Sequence, residues 1–365
     1  MLLTFIIVYV AAQYIASAES NWPLEEPTAD HPVGNTFGEL VAYRSRFGSV
    51  ESRLKHIQHF GLDILAEPCC TSSAPDVVVT EAGIVRSWKI VDDDNYNSVE
   101  ITASRDGHEF VYTYKHLEVP QANSYQTFAA TNSIPAGTPI SMVRDAFPCG
   151  FNHLHYGITR DFESINPLQE VVPEPDDQDP IISELHVVKH GIEPLSEFGL
   201  VNNCPTVSGA VDVIVEVSDE DDAGSSEKAA RNLGIYDLKW RACAVGNPNC
   251  NWLDTHKYDA MPVAWNDPTD TTFKERFSLY EPFPTIKEEW SDVPEGWTGD
   301  PVDCDALPVP RTIMFVAKDG IATWSTQEKV NGAAKYKNGP YTLSVKALDY
   351  VGNEDIYETT VCVNN

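Results

Sequence analysis

Short runs of β-prone residues, each closed by turn formers, limit what this chain can fold into. Between His59 and Leu168 they read PDVVVTEAGIV, SVEITAS, EFVYTYKHL, TPISMV and HLHYGI. Val, Ile, Thr, Tyr and Phe in runs this short favour strands over helices, and the Gly, Pro, Asp and Asn between them favour turns. The expectation is an all-β fold. Residues 19 to about 55 hold turn signals at His31-Pro32, Gly34-Asn35 and Phe47-Gly48 and read as an entry segment.

At 365 residues the chain exceeds one average domain. The stretch EVVPEPDDQDP, from Glu170 to Pro180, is rich in Pro and Asp. It suits neither a helix nor a central strand, so 170–180 is expected to link two domains. Beyond it, VDVIVEV (211–217), GIYDLKW (234–240), TIMFVA (312–317) and YTLSVKALD (341–349) mostly alternate apolar and polar residues. That spacing suits a β-sandwich over 181–365. Its final stretch, GPYTLSVKALDYVGNEDIYETTVCV, resembles the last two strands of an immunoglobulin-like or fibronectin-like domain, turning at Gly352-Asn353. The segment from about 247 to 311, with Trp252, Trp265, Trp290 and Trp297, is expected to be an irregular insertion. Its Trp rings either fill the core or stack on sugars.

The opening residues, MLLTFIIVYVAAQYIASAES, have the length of a signal peptide and end in the cleavage pattern Ala16-Ser17-Ala18. With 1–18 as a leader, the protein is expected to be secreted, periplasmic or at the cell surface. The n-region lacks Lys and Arg, which leaves an uncleaved anchor as the alternative. Eight cysteines behind such a leader suggest disulfides, with Cys243–Cys250 the expected local bridge and Cys149 joined to Cys69 or Cys70. No CxxC pair is present, so metal chemistry must come from His and carboxylates. The 55 acidic residues against 25 basic ones give a formal charge of −30. Phosphate backbones and anionic membrane surfaces would be repelled, so neither nucleic acid nor, once the leader is removed, membrane is an expected partner. The runs Asp92-Asp93-Asp94 and Asp219-Glu220-Asp221-Asp222 lack the alternating pattern of a calcium loop and read as solvated turns.

Three segments carry the chemistry: His59-Phe60-Gly61-Leu62-Asp63, Tyr114-Lys115-His116-Leu117 and His153-Leu154-His155-Tyr156-Gly157. A catalytic zinc needs three N or O ligands and an open position, and four His with one Asp exceed that need. On a strand, His153 and His155 point to one face roughly 7 Å apart, so one can ligate while the other meets substrate. His59 and Asp63 would stand about 13 Å apart on a straight strand. The chain must therefore bend between them, and Gly61 is where bending is easiest.

In this order the three segments, H-x-G-x-D, Y-x-H-L and H-L-H, resemble the lysostaphin or LytM-type zinc metallopeptidases, which cut glycyl-glycine and peptidoglycan peptides. The resemblance covers about residues 31–168 and includes PDVVVTEAGIV, IPAGTPISMV and INPLQ. It implies a LytM-like sheet domain (a duplicated hybrid motif) over 19–169, one Zn²⁺ held by His59, Asp63 and His155, and catalytic roles for His116 and His153. Tyr114 and Tyr156 would line the cleft, or else pack as ordinary strand residues. Two loops depart from the family's pattern, Cys69-Cys70-Thr71-Ser72-Ser73 and Cys149-Gly150-Phe151-Asn152. Neither removes a ligand, but both put the shape of the cleft, and hence the substrate, in doubt.

His31, His56, His108 and His256 read as packed or surface residues. His186 and His190 form an H-x-x-x-H whose second position is Val187, not the Glu of a helical zinc motif, and SELHVVKH reads as strand. The expected function is a secreted zinc endopeptidase acting on peptidoglycan cross-links or Gly-rich peptides. The alternative is an inactive peptidase-fold scaffold, or a binding protein that works through its C-terminal sandwich.

Overall fold

The computed structural model describes residues 22–25, 33–35, 37, 40–44, 54–58, 60–65, 76–89, 97–118, 133–144, 153–171, 178–190, 198–201, 203–219, 235–247, 250–262, 312–317 and 324–365. The leader, His31, His59, Cys69, Cys70, Cys149, Cys304, Asp92-Asp93-Asp94 and most of the expected linker lie outside these residues.

The described chain is all-β, and its only helix is one turn of 3₁₀, Pro167–Gln169. The first half supplies β1 (Val33–Asn35), β2 (Leu40–Arg44), β3 (Leu54–Gln58), β4 (Leu62–Leu65), β5 (Asp76–Val78), β6 (Ile84–Lys89), β7 (Ser98–Arg105), β8 (His108–Lys115), β9 (Pro139–Met142), β10 (His153–Arg160) and β11 (Glu163–Ile165). The second half supplies β12 (Ile181–Lys189), β13 (Leu200–Val201), β14 (Cys204–Val207), β15 (Ala210–Ser218), β16 (Asp237–Ala244), β17 (Leu253–Lys257), β18 (Ala260–Pro262), β19 (Thr312–Ala317), β20 (Trp324–Ser325), β21 (Lys329–Val330), β22 (Ala333–Ala334), β23 (Gly339–Leu348) and β24 (Glu354–Val363).

The first sheet runs β1-β4-β10-β8-β7-β6, with β11 attached to β10. Its strands alternate because one face is buried. Leu62, Tyr156, Tyr114 and Val99 are direct cross-strand partners in turn, and all four are 0% exposed. The run PDVVVTEAGIV does not form one strand. It breaks after Val78, so that β5 pairs with β9 while β6 joins the edge of the main sheet. In the second half, β12-β15-β19 and β13-β14-β24-β23-β16-β17 form two sheets that share one core, in which Trp240 and Trp324 lie 5.6 Å apart.

Two strands lie within the stretch expected to be an irregular insertion: β17 extends the second half's larger sheet, and β18 pairs with β11 of the first sheet. Asn166 and Gln169 tighten that junction, with Asn166 Nδ2 donating to Tyr258 O and Gln169 Nε2 to Asp259 O. Phe37 is buried in the second core, and Phe60 packs against it. More than the 170–180 stretch therefore joins the two halves. Trp252 is half-buried beneath two cations, Arg241 at 4.3 Å and Lys346 at 5.3 Å from its ring. Among the described residues no helix is long and apolar enough to cross a membrane.

Among the described residues of the second half there are two disulfides. Cys243–Cys250 closes a seven-residue separation, as its spacing suggested, and Cys204–Cys362 closes one of 158 residues between the parallel strands β14 and β24. Loop-closure entropy favours the long bridge. Its removal by Cys204→Ala with Cys362→Ala should cost about 2–5 kcal/mol, more than removal of the short bridge. Urea midpoints of the two double variants and of the wild type test that order.

Candidate functional site

The register of three strands assembles the site. His155 of β10 faces Asp63 of β4 on one side and Lys115 of β8 on the other. Directly opposed residues on antiparallel strands share a face, so all three project away from the Tyr and Leu core. His155 Nδ1 lies 2.9 Å from Asp63 Oδ1, and His153 Nε2 lies 3.5 Å from the same oxygen. The three side chains are 13%, 8% and 4% exposed for His155, Asp63 and His153, so little water screens them.

His116 arrives by another route. It follows the last residue of β8 with φ of 64°, in the left-handed region that few non-glycine residues adopt. The conformation is held from both sides, since Arg144 N donates to His116 O at 2.8 Å and Leu117 N to Asn97 O at 3.3 Å. The His116 ring lies edge-on to His153 with centroids 4.6 Å apart, and 6.1 Å from His155. Asp63, His116, His153 and His155 thus form one cluster. His59 lies outside the described residues.

Tyr114 and Tyr156 are not in this cluster and do not line a cleft. Each neighbours a site residue in sequence, and strand alternation turns it to the opposite face. Both are fully buried, and their hydroxyls meet at Thr80 Oγ1, each at 2.9 Å. Burial pushes the Tyr114 phenol up to about 12 and the Tyr156 phenol well above its ordinary value. Nothing in the sequence around Thr80 distinguishes it.

Gly61 is required where expected, for a different reason. Its φ is not positive, and a Cβ there would stand 2.5 Å from Tyr156 O. The residue permits close approach of β4's entry to β10. The two His of the H-x-x-x-H have other partners: His186 Nε2 lies 3.1 Å from Glu184 Oε2, and His190 Nδ1 lies 3.0 Å from Asp212 Oδ2. His108 pairs with Asp161 at the sheet's far end, and this bond lowers the pKa of Asp161.

Among the described residues, no three His, Cys, Asp or Glu form a metal-holding group. The set that the resemblance implies includes His59, and what is described supplies an oxygen and a nitrogen donor of the kinds zinc takes. The donor chemistry fits the ion.

Neither a protein-family model nor a curated protein matches the chain.

The Gly61 contact yields a test. Because the obstructing atom is backbone, Gly61→Ala must shift β4 against β10, at a cost of about 1–3 kcal/mol. A thermal midpoint equal to wild type would show that the strands separate freely there.

Proposed function

We propose that this protein is an exported zinc endopeptidase of the lysostaphin or LytM type, in which a LytM-like sheet domain is followed by an immunoglobulin-like sandwich. The observation that carries the proposal is the dry pairing of Asp63 with His155 beside two further imidazoles, drawn from the three segments whose motifs resemble the family. A buried carboxylate within 3.5 Å of two imidazoles is costly unless a cation or protons balance it. The substrate class follows from the resemblance: peptide bonds in peptidoglycan cross-links or Gly-rich peptides.

His59, Asp63 and His155 would hold the ion, which when bound supplies Lewis acidity to a carbonyl and a nucleophilic water near neutral pH. The remaining steps belong to the chain. His116 and His153 stand edge-on at 4.6 Å, close enough to address one reacting centre from two sides. In neutral form one accepts the proton of the attacking water, and in protonated form the other donates to the developing oxyanion. The left-handed turn at His116 and the burial of His153 hold both rings before substrate arrives.

Purified protein should contain about one zinc per chain. Asp63→Ala and His155→Ala should abolish binding, whereas His116→Ala and His153→Ala should keep the metal and lose about 10²–10⁴ in turnover of pentaglycine or peptidoglycan peptides. Zinc content by atomic emission, measured beside chelator-sensitive cleavage, separates the two groups. Full occupancy in the Asp63 and His155 variants would end the ligand assignment.

A further inference from the structure

The site face continues beyond the histidines. Asp63 of β4, His155 of β10, Lys115 of β8, Ser98 of β7 and Lys89 of β6 are cross-strand partners in turn and form one straight row. The row is fixed from behind, because its shadow on the other face is Leu62, Tyr156, Tyr114 and Val99, all fully buried. The next row lies low. It runs through Gly157, Thr113, Glu100 and Ser87, and only one of these four side chains is long.

Lys115 is the unexplained member. Its side chain is half-buried, yet among the described residues it makes no ion pair or hydrogen bond. Burial depresses its amine, opposed by the more distant charges of Asp63 and Glu100 and reinforced by Lys89. Glu100 is already engaged, accepting from Ser87 Oγ at 2.9 Å. An ammonium removed from water without a contact partner is destabilising, and a carboxylate docked on it would form a short charge-assisted bond.

We propose that Lys115, with Lys89 farther along the row, is a carboxylate subsite, and that the preferred substrate is a peptide laid across the strands with one acidic group about three residues from the cleaved bond. The distance follows from the sheet. Two strand spacings separate Lys115 from Asp63, about 10 Å, which is roughly three residues of extended peptide. The occupant is a single carboxylate, not a polyanion, because the net charge of −30 opposes any large anion. The carboxylate comes from a Glu or Asp side chain or from a peptide's own C-terminus. This inference rests on the endopeptidase reading for its substrate, but its test does not.

The experiment uses the full chain and fluorescein-labelled glycine hexapeptides in which one Glu is walked along all six positions, each with a Gln twin. A second arm uses shorter peptides ending in a free carboxylate, each with an amidated twin. Fluorescence anisotropy should show at least one position where the acidic peptide binds about tenfold tighter than its twin. Lys115→Met should erase that preference and Lys115→Arg should keep it. Equal affinities for every pair, or a preference that survives Lys115→Met, would overturn the subsite. Chelator-sensitive cleavage of the same peptides is scored separately: peptides bound with the Lys115-dependent preference but left uncut with zinc present refute the endopeptidase reading and leave the subsite standing.

Discussion

Strand alternation, applied in one register across β4, β10 and β8, decides which side chains join the histidine cluster's face and which enter the core. Because side chains switch faces at every residue, placing Leu62, Tyr156 and Tyr114 in the core sends Asp63, His155 and Lys115 to the other side. A slip of one residue in β10 would exchange these sets, burying imidazoles and exposing phenols. The Thr80 hydroxyl guards against such a slip, since it receives both phenols at 2.9 Å and only one register brings them together. The apolar layer thereby holds the polar one in position.

Much of this was legible in the sequence, and the reasons for the failures are specific. His153 and His155 two apart on a β-prone run already implied a shared face. The same rule applied to Tyr156 would have sent it into the core, and to Tyr114 likewise once β8 was paired. Family resemblance drew attention to those tyrosines where parity was the stronger constraint. Gly61 reads as a point of backbone freedom, but what it provides is proximity to Tyr156 O, and no local pattern distinguishes those two uses. The strand break after Val78 was hidden because Val77, Val78 and Val79 read as one apolar run, and only the pairing of β5 with β9 and of β6 with β7 shows where it divides.

Long-range pairings were the least accessible. The Cys243–Cys250 bridge follows from its short loop, whereas nothing local singles out Cys204–Cys362 among the 105 complete pairings that eight cysteines allow. The β11–β18 contact joins two three-residue strands about a hundred positions apart. Neither carries a composition that sets it off from a turn, and each becomes a strand only by meeting the other. His116 shows the same limit in backbone form: its motif was readable, but its φ of 64° depends on what Arg144 and Asn97 do to the residues around it.

Phe60 gives the two halves a shared thermodynamics. It lies two residues before Leu62 and three before Asp63, just ahead of the strand that builds the site, yet its ring packs against the core of the second half. Any ligand or mutation that tightens that distant core also restricts the segment entering β4, and by linkage whatever orders Asp63 must tighten the distant core to the same degree. The second half is then part of the apparatus that sets the stiffness of the site, and a chain cut after the first half would carry every site residue described here while lacking the wall against which one of their supports is braced.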